Sequence, residues 1–353
     1  MVESWMIYGA TGFTGRRIAA QAVRQGLRPI LGGRSRDALE ALAQELRLEY
    51  RVFDLTSSGQ AAAHLRDIHV LLHCAGPFSA THAPMLNACL AAGTHYLDIT
   101  GEIPVFEALH ARWDELREAE LTGVSGVGFD VVPTDGVAAV IAQHLPTARR
   151  LRLAISLTEV SPGTAKTSVE LLAMGSRSRQ GGLLVEEPLG VRLWTVSHEG
   201  REFSGVSFPW GDVATAYYST GIPTVETYLA VPKTRVPLFR AVNVFLPLLR
   251  LPTVQNALKR VAGRATGPSE TLMREGRCVV WGEGTDAQGR TVHARLVGPE
   301  PYAFTVVAAL AAVRRMLAGG VPTGVLTPSL AFGVDFAATL PGVTLKVSDS
   351  AAV

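Results

Sequence analysis

Charge, cysteine and long apolar runs are all scarce in this chain. Charged residues make up 18% of the 353 positions, and 33 Lys and Arg stand against 31 Asp and Glu. A net charge of +2, with no basic tract interleaved with aromatics, argues against a nucleic-acid binder. The three cysteines, Cys74, Cys89 and Cys278, give neither an even-numbered disulfide framework nor metal-ligand spacing, and the nine histidines include no His-Glu-x-x-His pattern. The first apolar run begins too early to leave room for a signal peptide, so a reduced, metal-free, cytoplasmic protein is expected. No transmembrane segment is expected either. The most apolar stretch, residues 236–249, is broken by Arg240, Asn243 and two prolines, and is shorter than the ~20 residues of a spanning helix. It reads as a buried-core or dimer-interface helix, with a lid over a greasy substrate or a membrane-surface contact as alternatives.

What is present is apolar and periodic. Hydrophobic residues make up 47% of the chain, enough for two domains with full cores. At the N-terminus the run 5–8 leads directly into Gly9-Ala10-Thr11-Gly12-Phe13-Thr14-Gly15. Glycines at this spacing let a chain leave a strand tightly, bring bare backbone to a pyrophosphate, and start a helix whose N–H groups face the phosphates. Residues 13–25 then suit a helix and 29–31 a buried strand, after which Ser35 can cap a helix bearing Leu39, Leu42 and Leu46 on one face. Further strands are expected at 50–53, 68–72, 96–99 and 124–127, with helices near 57–66, 82–92 and 104–120. Such alternation predicts an α/β fold with a Rossmann-type, doubly wound parallel sheet.

The unusual residues follow the strands. Gly9 to Gly15 follows the first, Gly33-Arg34-Ser35 the second, Asp54 the third, Cys74-Ala75-Gly76-Pro77-Phe78 the fourth, Asp98 to Glu102 the fifth, and Gly128-Phe129-Asp130 to Asp135 the sixth. The carboxyl ends of parallel strands share one edge, where ligands bind, so these six segments are expected to line one cofactor site. An NAD site usually has an acidic residue about twenty positions after the loop. Here Arg34 holds that place, with Ser35 and Arg36 beside it, and the expected cofactor is NADP(H).

Beyond about residue 145 the pattern changes. Strands are expected at 151–157, 191–196, 203–208, 213–218 and 225–231, a hairpin at 277–283 and 290–297 around Asp286-Ala287-Gln288-Gly289, and a helix at 301–317. This predicts a second α+β domain on a mostly antiparallel sheet, acting as substrate wall and lid.

Taken together, Gly-Ala-Thr-Gly-Phe-Thr-Gly, Gly-Gly-Arg-Ser, Cys74 to Phe78, Tyr96 to Glu102 and Gly128 to Asp135 resemble the saccharopine dehydrogenase-like oxidoreductases, especially the bacterial branch that includes trans-acting enoyl reductases. Gly211 to Ala216, Gly298 to Tyr302 and Thr327 to Gly333 extend the resemblance along the chain. The resemblance implies a cofactor domain at 1–130, a substrate domain at 131–319, and a return of 320–353 onto the first. It also implies a reductase acting on a C=C or C=N bond of a small or lipid-like molecule; a homodimer is an open partner.

Proton handling is less determined. The Tyr-x-x-x-Lys pair of short-chain dehydrogenases is absent, because no tyrosine has lysine four positions on. The candidate acids are Asp130, Asp135 and Glu102, since a carboxyl in a partly apolar crevice can hold its proton at neutral pH. The resemblance places Asp130 and Asp135 near nicotinamide and substrate. Asp135 could instead cap the helix starting near Gly136, and Asp98 could hold loop amides. Tyr96 and Thr164 are candidate substrate contacts. The alternative to an enzyme is a non-catalytic NADP-binding sensor or scaffold.

Overall fold

A computed structural model describes residues 4–156, 169, 172–173, 175–262 and 267–350. The described residues form two compact units, the first drawn from Met1–Thr100, Pro104–Val132 and Tyr302–Gly333, the second from Gly101–Ile103, Pro133–Pro301 and Val334–Val353.

The first unit is a seven-stranded parallel sheet. From the N-terminal part come β1 (Trp5–Tyr8), β2 (Ile30–Gly33), β3 (Tyr50–Val52), β4 (Val70–His73), β5 (His95–Asp98) and β6 (Thr122–Val124). Their order is β6-β5-β4-β1-β2-β3, and a late strand, Gly324–Leu326, lies beside β6. The order reverses at β1 and β4, and in such sheets the crevice beyond the carboxyl ends at that point takes the ligand. Residues of β1, β2 and β4 are buried throughout, as a sheet covered on both faces requires. The helix Phe13–Arg24 buries Gly15, Ile18, Ala19 and Ala22, the i, i+3, i+4, i+7 set of a single face. Helix Phe78–Ala92 follows β4, and Met85, Leu86, Ala88 and Cys89 join the core around Met6, Leu71 and Tyr96.

The second unit is a mixed sheet. Its strands are β7 (Ala148–Ile155), β8 (Ser176–Gln180), β9 (Leu183–Glu187), β10 (Leu193–His198), β11 (Arg201–Ser207), β12 (Thr224–Val231), β13 (Arg277–Asp286), β14 (Thr291–Pro299) and, counting Gly324–Leu326 as β15, β16 (Thr344–Ser350). The order is β10-β11-β12-β7-β13-β14-β16, with β8 and β9 attached at β12; β7 and β12 run parallel and the other pairs antiparallel. Helix Val132–His144 packs closely on one face, where a Cβ at Gly282 would lie 2.3 Å from Val137 Cγ1. The opposite pleat carries a charged cluster. Glu226 is buried and accepts from Arg150 at 2.8 Å and from the Tyr228 hydroxyl at 2.6 Å; Arg192 also bonds it, and Arg152 lies 3.5 Å away.

Several expectations need correction. The segment 213–218 is helical, within Asp212–Thr220, instead of a strand. Its residues Asp212–Ala216 are all buried, so no polar face reveals the helical period, and Gly221 at φ +68 ends it in the left-handed region. The return to the first unit runs over Tyr302–Gly333, whereas β16 pairs with β14 of the second sheet, because its backbone completes that edge. Residues 236–249 form the expected helix, but not a core one. Leu238, Val244, Phe245 and Leu248 are 65%, 77%, 58% and 52% exposed.

Candidate cofactor site and its proton-handling residues

The loop after β1 is fixed from two sides. Gly9 and Ala10 N–H groups both donate to the Gly32 carbonyl, at 2.9 and 3.2 Å, tying the loop to the end of β2. Gly9 has φ +83, and a Cβ there would lie 2.8 Å from the Ala75 nitrogen, so this position admits glycine alone. Gly12 differs. It is exposed, and a Cβ there would meet nothing but the Gly9 carbonyl oxygen at 3.2 Å. It is the N-cap of helix Phe13–Arg24, has no side chain with which to cap, and no acidic residue stands in the first turn. The first N–H groups of that helix, at the positive end of its dipole, are thus left for an anion. Phe13 is held by the Arg17 guanidinium, 3.7 Å from its ring centroid, and by the edge of Tyr302.

At the end of β2, Arg34 and Ser35 are exposed, and Ser35 occupies the N-cap of helix Arg36–Leu46 without a side-chain capping bond. Asp54 follows β3. Bonds from Thr56, first the hydroxyl and then the backbone N–H, hold its carboxyl below the usual range, and the Arg34 charge adds to the effect. Beneath them, burial pushes Tyr8 up to about 12, with Arg34 opposing.

The segment Cys74 to Phe78 after β4 is organised by a residue the sequence did not signal. Thr81, in the next helix turn, donates to the Ala75 carbonyl at 2.7 Å and the Pro77 carbonyl at 3.1 Å, and lies 3.0 Å from His73 Nε2. His73 is fully buried against Tyr8 and Phe78, and burial drives it down to about 3, so its imidazole stays neutral. Gly76 and Pro77 are exposed above this brace.

Asp98 ends β5 and joins it to the end of β6. One carboxylate oxygen accepts from the Thr100 N–H at 3.0 Å and the Gly126 N–H at 2.9 Å, the other from the Tyr96 hydroxyl at 2.9 Å and the Ser125 hydroxyl at 2.8 Å. Its backbone carbonyl accepts from Val127 N–H at 2.8 Å. Burial raises its pKa and the four donors oppose that rise. Asp98 therefore holds loop amides. The substrate contact expected at Tyr96 is not supported: the side chain is buried and its hydroxyl is committed to Asp98.

Downstream, the turn Gly128–Val131 is anchored by the Phe129 N–H, which donates to Thr305 Oγ1 at 3.1 Å, and by the Val132 N–H on the Gly128 carbonyl. Asp130 sits in this turn and is half-buried. Asp135 is fully buried in the second unit, where it accepts from the Ser219 hydroxyl and ties helix Val132–His144 to helix Asp212–Thr220; this is a poor setting for an acid that must meet substrate. Glu102 is buried as well. Thr164 lies outside the described residues. The first unit thus brings together Gly9, Thr11, Gly12, Phe13, Thr14, Gly15, Arg34, Ser35, Asp54, Cys74 to Phe78, Gly128 and Phe129 along the carboxyl edge of its sheet. Among the described residues no group of His, Cys, Asp and Glu is placed to hold a metal ion.

Comparison with known proteins agrees with this geometry. Residues 5–124 match the family described as the saccharopine dehydrogenase NADP binding domain. A saccharopine dehydrogenase-like oxidoreductase of Bos taurus is 27% identical over 150 residues, 37% of this chain and 35% of the relative. A Mycobacterium tuberculosis protein named as a trans-acting enoyl reductase is 35% identical over 141 residues, 37% of this chain and 33% of the relative. The matched region therefore spans about a third of the length of these curated relatives. Two solved structures share the fold over almost the whole chain. One is saccharopine dehydrogenase (L-Glu forming) of Saccharomyces cerevisiae, with TM-score 0.68, 13% identity, and coverage of 99% of this chain and 100% of that one. The other is a homospermidine synthase of Legionella pneumophila in complex with NAD, with TM-score 0.64, 8% identity, and coverage of 99% and 92%.

Proposed function

We propose that the chain, whose residues 5–124 match the saccharopine dehydrogenase NADP binding domain family, is an NADP(H)-dependent reductase acting on a C=C (enoyl) or C=N (imine) bond of a small or lipid-like metabolite. The observation that carries this reading is the uncapped helix start at the open Gly12, on the same sheet edge as five other strand-end segments. NADPH, when bound, supplies the hydride. The residues on this edge do the rest. Backbone N–H groups from Phe13 to Gly15 would hold the pyrophosphate, the Gly12 N–H being spent on the Gly9 carbonyl at 3.0 Å; Arg34 would take the 2′-phosphate, and the segments Cys74 to Phe78 and Gly128 to Phe129 would flank the site. Asp130 supplies the proton, as the one half-buried carboxyl among the three candidates. The enoyl reductase name of the mycobacterial relative supports the C=C form.

The three cysteines are unpaired, which suits a reducing compartment, and the cytoplasm is the proposed location. The test is NADPH oxidation across enoyl thioesters, unsaturated lipids and cyclic imines. On whichever substrate turns over, Asp130→Asn is expected to lower kcat by roughly 10² to 10⁴ with NADPH affinity unchanged. Unchanged turnover removes Asp130 from the chemistry. NADPH binding without oxidation of any compound in the panel favours a non-catalytic sensor.

A further inference from the structure

Two consecutive helices of the second unit, Val236–Leu249 and Pro252–Ala262, present an exposed apolar surface. Among the described residues, the polar contacts of the first lie on one side. Asn243 bonds the backbone of Leu189 in both directions, at 2.8 and 2.9 Å, Arg240 Nε donates to the Gly190 carbonyl at 3.1 Å, and Arg250 Nε donates to the Ala173 carbonyl at 3.2 Å. The other side carries Leu238, Val244, Phe245 and Leu248, all more than half exposed, and the following helix adds Val261 at 63%. Neither helix contains a buried residue. So much apolar side chain facing solvent marks a contact surface.

Charge decides what it contacts. Between Pro232 and Ala262 the sequence has six cations, Lys233, Arg235, Arg240, Arg250, Lys259 and Arg260, and no Asp or Glu. The rest of the chain then holds 27 Lys and Arg against 31 Asp and Glu, so the stretch from Pro232 to Ala262 is a positive island on an otherwise acidic protein. Neighbouring strands temper it at two points, with Glu202 2.9 Å from Lys233 and Glu186 3.9 Å from Arg250. A second copy docked isologously would set this cationic face against itself. An anionic bilayer offers both complements at once, headgroup charge for the cations and acyl chains for the Leu, Val and Phe side chains. The 14-residue first helix is too short to span a bilayer, and no described helix is long and apolar enough to do so.

We propose that helices Val236–Leu249 and Pro252–Ala262 form an interfacial anchor that lays this chain on an anionic lipid surface, with Val244, Phe245 and Leu248 inserted and the exposed Arg235 and Arg260 at the headgroups. This inference does not depend on the proposed reaction, and its readout involves no turnover. The experiment is co-sedimentation of the full chain with phosphatidylcholine vesicles that contain or lack phosphatidylserine, at low and high salt. Binding at least about tenfold tighter to the phosphatidylserine vesicles is expected at low salt, falling as salt screens the headgroups. Phe245→Ser with Leu248→Ser is expected to weaken binding to these vesicles by about tenfold or more. Arg235→Gln with Arg260→Gln is expected to reduce the phosphatidylserine preference. Both pairs of substitutions replace exposed side chains, and unchanged NADPH affinity checks their folding. The proposal is overturned by equal or absent binding to the two vesicle types, or by full binding of the Phe245→Ser, Leu248→Ser protein. A wild-type dimer that this variant dissociates, with no vesicle binding, assigns the face to a second copy instead.

Discussion

Replacing Asp98 tests how the cofactor edge is held. Its carboxylate receives four donors in a site closed to solvent: two backbone N–H groups, from Thr100 and Gly126, and the hydroxyls of Tyr96 and Ser125. Asp98→Ala strands all four. Each buried donor left without a partner costs about 1–3 kcal/mol, so the variant is expected to lose about 4 kcal/mol or more, a large share of a typical domain's stability. Asp98→Asn keeps one oxygen for the two N–H groups, and its amide can donate to hydroxyls that rotate to accept; a loss of about 1–3 kcal/mol is expected. A further difference separates the isosteres. Burial raises the pKa of Asp98, so the folded chain holds this proton more tightly than the unfolded one. The corresponding stability is present below the unfolded value and is lost as pH rises through the folded value. The Asn protein lacks this titration, and its deficit against wild type should shrink as pH rises. Chemical denaturation over a pH series gives the energies, and hydrogen exchange at the Thr100 and Gly126 amides gives the local effect. An Asp98→Ala protein within about 1 kcal/mol of wild type, with both amides still protected, would refute the reasoning.

Arg34→Ala is expected to weaken NADPH binding by at least about tenfold, the loss of a charged phosphate contact of about 1.5–3 kcal/mol, and to leave NADH binding unchanged; calorimetric titration of both cofactors decides it. In the second unit, burial works to raise the pKa of Glu226, yet the Tyr228 hydroxyl and Arg150, with the Arg192 charge, hold its carboxyl below the usual range. Stability from such a depressed group is present above the ordinary glutamate pKa and is lost as pH falls through the folded value. Glu226→Gln should therefore cost about 1–3 kcal/mol at neutral pH, less than a fully buried pair because the arginines are partly solvated, and the gap to wild type should close on acidification in denaturation curves.

The cofactor edge was legible because its signals are local. Glycine spacing, an apolar run and the residue after each strand are all read within a few positions, and a parallel sheet then aligns the strand ends without further information. The braces that fix the edge were not legible, because each joins distant positions. Asp98 reaches Gly126 across 28 residues, and Phe129 reaches Thr305 across 176, so neither pairing leaves a pattern in any window of sequence. For Asp98 the residue type was still informative, and a role in holding loop amides was expected, though not which amides. The second unit failed differently. β8 is Ser-Arg-Ser-Arg-Gln, a strand without an apolar face to announce it, fastened by Arg179, which donates to the Val213 and Gly182 carbonyls. Helix Asp212–Thr220 is buried throughout its first half and shows no polar stripe. Residues 236–249 are the converse: their apolarity was plain, but hydropathy measures what a side chain avoids and not what covers it. The core reading followed from apolarity alone. The missing acidic residues between 232 and 262 carry more information, because a core helix has no use for a flanking row of cations, whereas a helix lying at a charged interface does.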